Sequence, residues 1–150
     1  MTTVCLVEND ESSLPLDLYG YDTARRALAT YDLDEPWDNT VTLDTVSLGA
    51  AVSLLNDLNW YLLRLTSDAF VRDPSVSEHE WLSRPLAREI RDGHHDPDDA
   101  INRLRVYGVE NGRLVDPTHV LRGTGEDGDY ERSEYEDTVI VRVTQDEFFN

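Results

Sequence analysis

Apolar residues in the first half of the chain fall into short strand-like runs and one long helical stripe. Thr3-Val4-Cys5-Leu6-Val7 is a continuous apolar run of strand length, as a strand buried on both faces requires. Leu14 to Tyr19 reads as a second short strand, and Pro15 places it at a sheet edge because proline has no N–H to donate to a neighbour. Asp22 is positioned to cap a helix over residues 23–31, with Ala24, Ala27 and Leu28 on its apolar face. Residues 32–40 contain Pro36 and no periodicity, which predicts a loop pinned by Trp37. Residues 41–46 alternate apolar with polar and predict a strand. Ser47 then caps the longest periodic segment: Leu48, Val52, Leu55, Leu58, Leu62, Leu65 and Ala69 recur every three or four residues. The spacing predicts one central helix from Ser47 to Ala69; a rival reading ends it near Asn59 and makes residues 60–65 a strand.

Pro74 closes that region, and Ser77-Glu78-His79-Glu80 has the form of a capping box. It predicts a helix carrying Trp81, Leu82, Leu86 and Ile90, kinked by Pro85 and ended by Gly93. Asp96-Pro97 predicts a further short helix. Residues 104–109 and 113–115 read as two strands joined by an Asn111-Gly112 turn, and residues 118–122 extend the second. Residues 123–136 are an acidic, glycine-containing segment expected to be a flexible loop, and residues 139–143 form the last strand. The expectation is one α+β domain over residues 1–150. It has a mainly antiparallel sheet, a long central helix and two or three shorter helices.

Composition changes the meaning of the charges. Among 150 residues there are 31 acidic and 13 basic side chains, a formal net charge of −18, and every basic residue is arginine. Thermophilic chains lean on lysine together with glutamate, so heat does not explain a lysine-free acidic chain. In ~1 M salt the Debye length falls to roughly 3 Å, and mutual repulsion of surface carboxylates is screened. The composition therefore reads as that of a halophilic, cytoplasmic protein, in which acidic runs are background rather than metal sites. One cysteine, Cys5, excludes a disulfide framework and a cysteine-only zinc cage. No apolar run of membrane-spanning length occurs, and the amino terminus lacks the basic and apolar regions of a secretory signal.

Candidate chemistry is sparse. Gly123-Thr124-Gly125-Glu126-Asp127-Gly128 spells the dinucleotide-binding string, but no helical pattern follows, and its acids would repel a phosphate. His94-His95-Asp96-Pro97-Asp98-Asp99 gathers possible ligands at what reads as a helix start, with no second group of matching spacing. Cys5 sits in an apolar strand with no local base to activate it. No cofactor and no metal are expected. The carboxyl end, Gln145 to Asn150, looks faintly like a sliding-clamp-binding motif with contracted spacing; packing of Phe148 and Phe149 on a sheet edge fits better.

Arginine placement is the more informative signal. Residues 84–122 hold seven arginines and seven acids, whereas both flanking regions are strongly acidic. Arg84, Arg88 and Arg91 share one helix face, Trp81 lies one turn earlier, and Arg105 and Tyr107 fall on a strand. These six residues form the candidate anion- or partner-binding set, because guanidinium suits planar recognition of carboxylate or phosphate. The favoured function is a non-catalytic binding or regulatory domain, using this face or the Asn56/Asn59/Trp60/Tyr61 patch. The alternative is a small enzyme with a pocket near Asn56, Asn59, Arg84, Arg88 and His119. A protein or an anionic ligand is the expected partner, with no membrane, and nucleic acid is disfavoured.

The block from Asp44 to Tyr61 (DTVSLGAAVSLLNDLNWY), with Glu80-Trp81-Leu82-Ser83-Arg84 and Val106-Tyr107-Gly108-Val109, resembles an uncharacterised family of small proteins of halophilic archaea. The resemblance implies a stand-alone cytoplasmic protein and supplies no activity, cofactor or catalytic residue.

Overall fold

The computed structural model describes residues 1–94, 101–122 and 137–149. Its strands are β1 (Thr2–Glu8), β2 (Thr40–Thr45), β3 (Thr66–Arg72), β4 (Trp81–Ser83), β5 (Arg103–Glu110), β6 (Arg113–Leu121) and β7 (Asp137–Arg142). They form one seven-stranded mixed sheet in the order β2-β1-β3-β4-β7-β5-β6. All neighbours pair antiparallel except β4 and β7, which are parallel. The helices are α1 (Leu16–Tyr19), α2 (Asp22–Leu28), α3 (Leu48–Asp57), α4 (Asn59–Leu65), α5 (Arg84–Arg91) and α6 (Gln145–Phe149). Among the described residues, no helix is long and apolar enough to cross a membrane.

The long central helix is replaced by a helix, a second helix and a strand. Ser47 caps as expected, its hydroxyl accepting from the Ala50 N–H at 3.1 Å. The helix breaks at Leu58, whose φ of −92° and ψ of 2° leave the helical region. Residues 59–65 are helical, which also excludes the rival strand there. Ala69, the last member of the helical stripe, lies instead on β3, which pairs with β1 on one side and β4 on the other. A central strand with partners on both edges outweighs the weak helical preference of a run whose period fits both readings.

Three smaller expectations are also corrected. Residues 16–19 are a helical turn after a cis Leu14–Pro15 bond, not an edge strand. The helix over residues 23–31 is shorter, and Tyr21 rather than Asp22 precedes it, without a side-chain cap. Ser77 does accept from the His79 and Glu80 N–H groups, but only a turn results. Trp81–Ser83 then becomes β4, and Ser83 is the true cap of α5, accepting from the Leu86 N–H. Pro85 thus falls in the first helical turn, where its missing N–H costs nothing and no kink follows. The 104–115 hairpin holds: Asn111 and Gly112 both have positive φ, the geometry that suits a two-residue turn. The predicted helix after Asp96, the 123–136 loop and the glycine string lie outside the described residues.

Two cores follow from this sheet. On one face, Val4, Leu6, Val41, Leu43, Val71 and Leu82 pack under α1–α5, where Leu18, Leu28, Leu55, Leu58 and Leu86 are almost fully buried. The other face is covered by the curl of the sheet itself. Cys5, Val7, Phe70, Trp81, Tyr107, Val109, Leu114, Val139, Val141 and Val143 form a second cluster, joined by Trp37 and Phe148. Asn39, just before β2, closes the curl. Its side-chain amide donates to the Leu114 carbonyl at 2.9 Å and accepts from the Leu114 N–H at 2.9 Å. The Asp38 N–H adds a bond to the Gly112 carbonyl at 2.8 Å. The two ends of the sheet are therefore linked by the Asn39 side chain and a backbone bond, which supply partners that an edge strand would otherwise lack.

Candidate functional site

The structure distributes the six candidate residues over both faces of the sheet. Arg84 opens α5 and donates to the Leu55 carbonyl at 3.2 Å and to Asn56 Oδ1 at 3.4 Å. Burial and the neighbouring charge of Arg88 lower its guanidinium pKa. Arg88 is exposed, with no hydrogen bond or ion pair among the described residues, and Arg91 pairs with Asp92 at 2.8 Å. Trp81 does not border this face; it meets Phe70 edge-on at 5.2 Å, and the Arg72 guanidinium lies 4.7 Å from its ring centre. Within the proposed enzymatic set, Asn56 meets Arg84, Asn59 starts α4, and His119 stacks on Phe148 at 5.6 Å. Burial and the nearby Arg105 push the His119 pKa down.

Arg105 and Tyr107 belong to a polar network on the self-enclosed face, and its carboxylates come from residues that the sequence reading did not select. Asp68 Oδ1 accepts from the Ala69 N–H and from Arg105, both at 2.9 Å, and its Oδ2 accepts from the Tyr107 hydroxyl at 2.6 Å. Glu147 Oε1 accepts from the Ser83 hydroxyl at 2.5 Å and the Thr144 N–H at 2.9 Å, while Oε2 lies 3.5 Å from Arg105. Burial raises the Asp68 carboxyl above its ordinary range, opposed by Arg105, Tyr107 and the Ala69 N–H. Burial and the Asp68 carboxylate also raise the Tyr107 phenol, and burial raises the Cys5 thiol. Every carboxylate oxygen here is bound by the protein's own donors. The network ties β3, β4, β5 and α6 together and presents no free base or activated nucleophile. Among the described residues, no three His, Cys, Asp or Glu side chains gather as a metal site.

A second tie crosses the parallel strand pair. Glu80 Oε1 accepts from Arg122 at 2.5 Å and from Arg142 Nε at 2.8 Å. Burial opposes ionisation of Glu80, but the bonds and charges of the two arginines win and hold its pKa below the ordinary value of 4.5. A depressed carboxylate stabilises the fold above its unfolded pKa, and that contribution is lost as pH falls through the folded value. Thermal melts should therefore fall as pH drops below about 4.5, with a shallower acid limb in Glu80→Gln. An unchanged acid limb in that variant would show that the tie contributes nothing.

The feature best suited to recognition lies on the outer side of the helices. Tyr21, Trp60 and Tyr61 form a triangle with ring centres 5.1–5.6 Å apart. The Arg64 guanidinium lies 3.6 Å over the Trp60 ring and donates to the Trp60 carbonyl at 2.8 Å. Trp60 is 50% exposed, and Leu16 and Leu63 are each 72% exposed. Beside the triangle is an open hollow of about 510 Å³ lined by Glu11, Leu16, Asp17, Tyr21, Arg64 and Leu65, among others. Local chain geometry explains the exposure. The break at Leu58 turns α4 so that Leu62 and Leu65 face the core while Trp60 and Leu63 face outward. Trp60, Tyr61 and Leu63 were visible in the sequence as neighbours on one helix; Tyr21 and Leu16 were not, because they join the patch only through the packing of α1 and α2 beside α4.

A search of curated proteins and a search of solved structures each gave no significant match. Residues 2–109 match the Family of unknown function (DUF5804), a span that runs from β1 through nearly all of β5. That span contains α4, its aromatic triangle and Asp68, and the chain belongs to this family of unknown function.

Proposed function

We propose that the protein is a non-catalytic binding domain that pairs with a second copy of itself through the α1–α4 aromatic surface, in the cytoplasm of a halophilic archaeon. The observation that carries this reading is a projection and a recess in one patch. Trp60 and Leu63 stand out from the surface, and the hollow beside them has an apolar lining in Leu16, Tyr21 and Leu65. The same patch holds a cation, Arg64, and two acids, Glu11 and Asp17. A two-fold interface uses one surface twice and so must be self-complementary in shape and charge. Trp, Tyr and Arg are also the side chains that dominate binding energy at protein interfaces.

The net charge of −18 and the absence of lysine support salt adaptation, and salt favours this mode of binding. At molar ionic strength long-range attraction is screened, so partners are held by short-range apolar and stacking contacts. Repulsion between two acidic copies is screened by the same ions. The fold should lose thermal stability as KCl drops from molar to tens of millimolar, and a melting temperature unaffected by salt would remove the salt-adaptation reading.

Trp60 is the reporter for pairing: of the three tryptophans it is the most exposed, at 50%, whereas Trp81 is 4% exposed and Trp37 is half-buried against the second core. In molar KCl its emission should shift to the blue and its quenching by acrylamide should fall as protein concentration rises. Trp60→Phe should abolish both changes. Emission that is independent of concentration would overturn self-pairing.

A further inference from the structure

We infer that the open end of the curled sheet is a binding site for a small zwitterion of the free amino-acid type. A hollow of about 300 Å³ lies there, lined by Thr3, Asp32, Asp44, Trp37, Arg72 and Trp81 among others. Its volume is at the small end of ligand pockets, which run from about 300 to 1,000 Å³.

Arg72 is the decisive residue. It lies two and four residues from Phe70 and Asp68 on β3 and so shares their side of the strand, the self-enclosed face. Its guanidinium rests on the Trp81 ring, and neither an ion pair nor a hydrogen bond holds it among the described residues. Among other half-buried arginines, Arg105, Arg122 and Arg142 are held by acids and Arg84 by the Leu55 carbonyl and Asn56, whereas Arg72 keeps its donors open beside the carboxylates of the same hollow. A half-buried cation with its donors open to a hollow is suited to a planar anion, which guanidinium binds with two parallel N–H bonds.

A purely anionic ligand meets an obstacle, since Asp32, Asp34 and Asp44 line the hollow too. Their bonds differ. Asp44 Oδ1 accepts from the Thr3 hydroxyl at 2.7 Å, and Asp34 Oδ1 accepts from the Glu35 N–H at 2.8 Å. Asp32 has no side-chain partner among the described residues. One carboxylate on Asp32 and the second oxygens of Asp34 and Asp44 are thus available to a cation. A ligand with a carboxylate for Arg72 and an ammonium group for these acids satisfies both signs of charge. Trp37 and Pro36 provide an apolar wall for its side chain. The single cation against several acids excludes a phosphate ester as the preferred ligand, since its added negative charge would face the acids.

Isothermal titration calorimetry of the full chain in molar KCl tests this with L-phenylalanine, L-leucine, N-acetyl-L-phenylalanine and L-phenylalaninamide. At least one of the two free amino acids should bind. Blocking the amine or the carboxylate should weaken the phenylalanine interaction by about tenfold or more, the worth of a lost charge-assisted contact. Arg72→Met keeps a flexible apolar stem on Trp81 and removes the donors, so it should lose binding while its thermal melt stays near that of the parent. Absence of binding by both free amino acids would overturn the inference. Equal binding of the acetylated form, or undiminished binding by a folded Arg72→Met, would overturn it too.

Discussion

Replacing Arg105 with methionine should lower the unfolding free energy by about 3–5 kcal/mol, the usual penalty for stranding a buried charge. The guanidinium lies between Asp68 and Glu147, and the three side chains are only 13–18% exposed. Without Arg105, Asp68 keeps the Tyr107 hydroxyl and the Ala69 N–H but loses its only ion pair among the described residues. The two carboxylates then repel across the space the guanidinium filled. Arg105 Nε is buried with no hydrogen-bond partner among the described residues, so the arginine itself is not optimally satisfied. For that reason the double variant Arg105→Met/Asp68→Asn should recover part of the loss: the remaining groups are then fewer charges in the same enclosure. Denaturant titrations of both variants measure the difference. A single-variant loss below about 1 kcal/mol would place the pair among solvent-screened surface bridges and contradict its burial.

Phe70→Ala should cost about 3–5 kcal/mol, as expected for deleting a large aromatic from a well-packed core. Phe70 is fully buried and stands between Trp81 and Tyr107, with ring centres 5.2 and 5.9 Å away. The side chain projects from the face that has no layer of long helices, so its burial depends on the sheet curling over it. Val46→Ala, at an 81% exposed site, is the matched control and should change stability by less than about 0.5 kcal/mol. If Phe70→Ala were equally mild, the second core would not be closed in solution.

Legibility in the sequence followed how local the signal was. The 103–121 hairpin was readable because Asn111-Gly112 specifies its own turn, and β1 because an apolar β-branched run has few alternatives. Ser47 was readable as a cap because its bond closes within three residues. The α3–α4–β3 region was misread because a stripe of leucines fits a helix until pairing partners decide otherwise. Those partners, β1 and β4, lie more than ten residues away along the chain. That error hid Asp68 and Arg72, whose shared face is evident only once Thr66–Arg72 is a strand. Glu80 and Glu147 were obscured for another reason: among 31 acids, nothing local distinguishes one that is tied to arginines from one on the surface. The arginine-rich segment stood out in the sequence, yet its members serve different places, with Arg105 and Arg122 inside polar ties and Arg88 in solvent.

Sedimentation equilibrium of the parent chain and of Leu63→Glu, across a KCl series, tests the self-pairing account most directly. Leu63 is 72% exposed on α4, so the substitution leaves the monomer's core untouched. The account predicts a monomer–dimer equilibrium that shifts toward dimer as salt rises, because apolar contact strengthens while repulsion between copies is screened. Leu63→Glu should remain monomeric at concentrations where the parent pairs. A parent chain that is monomeric throughout, or a Leu63→Glu variant that pairs as well as the parent, would contradict it.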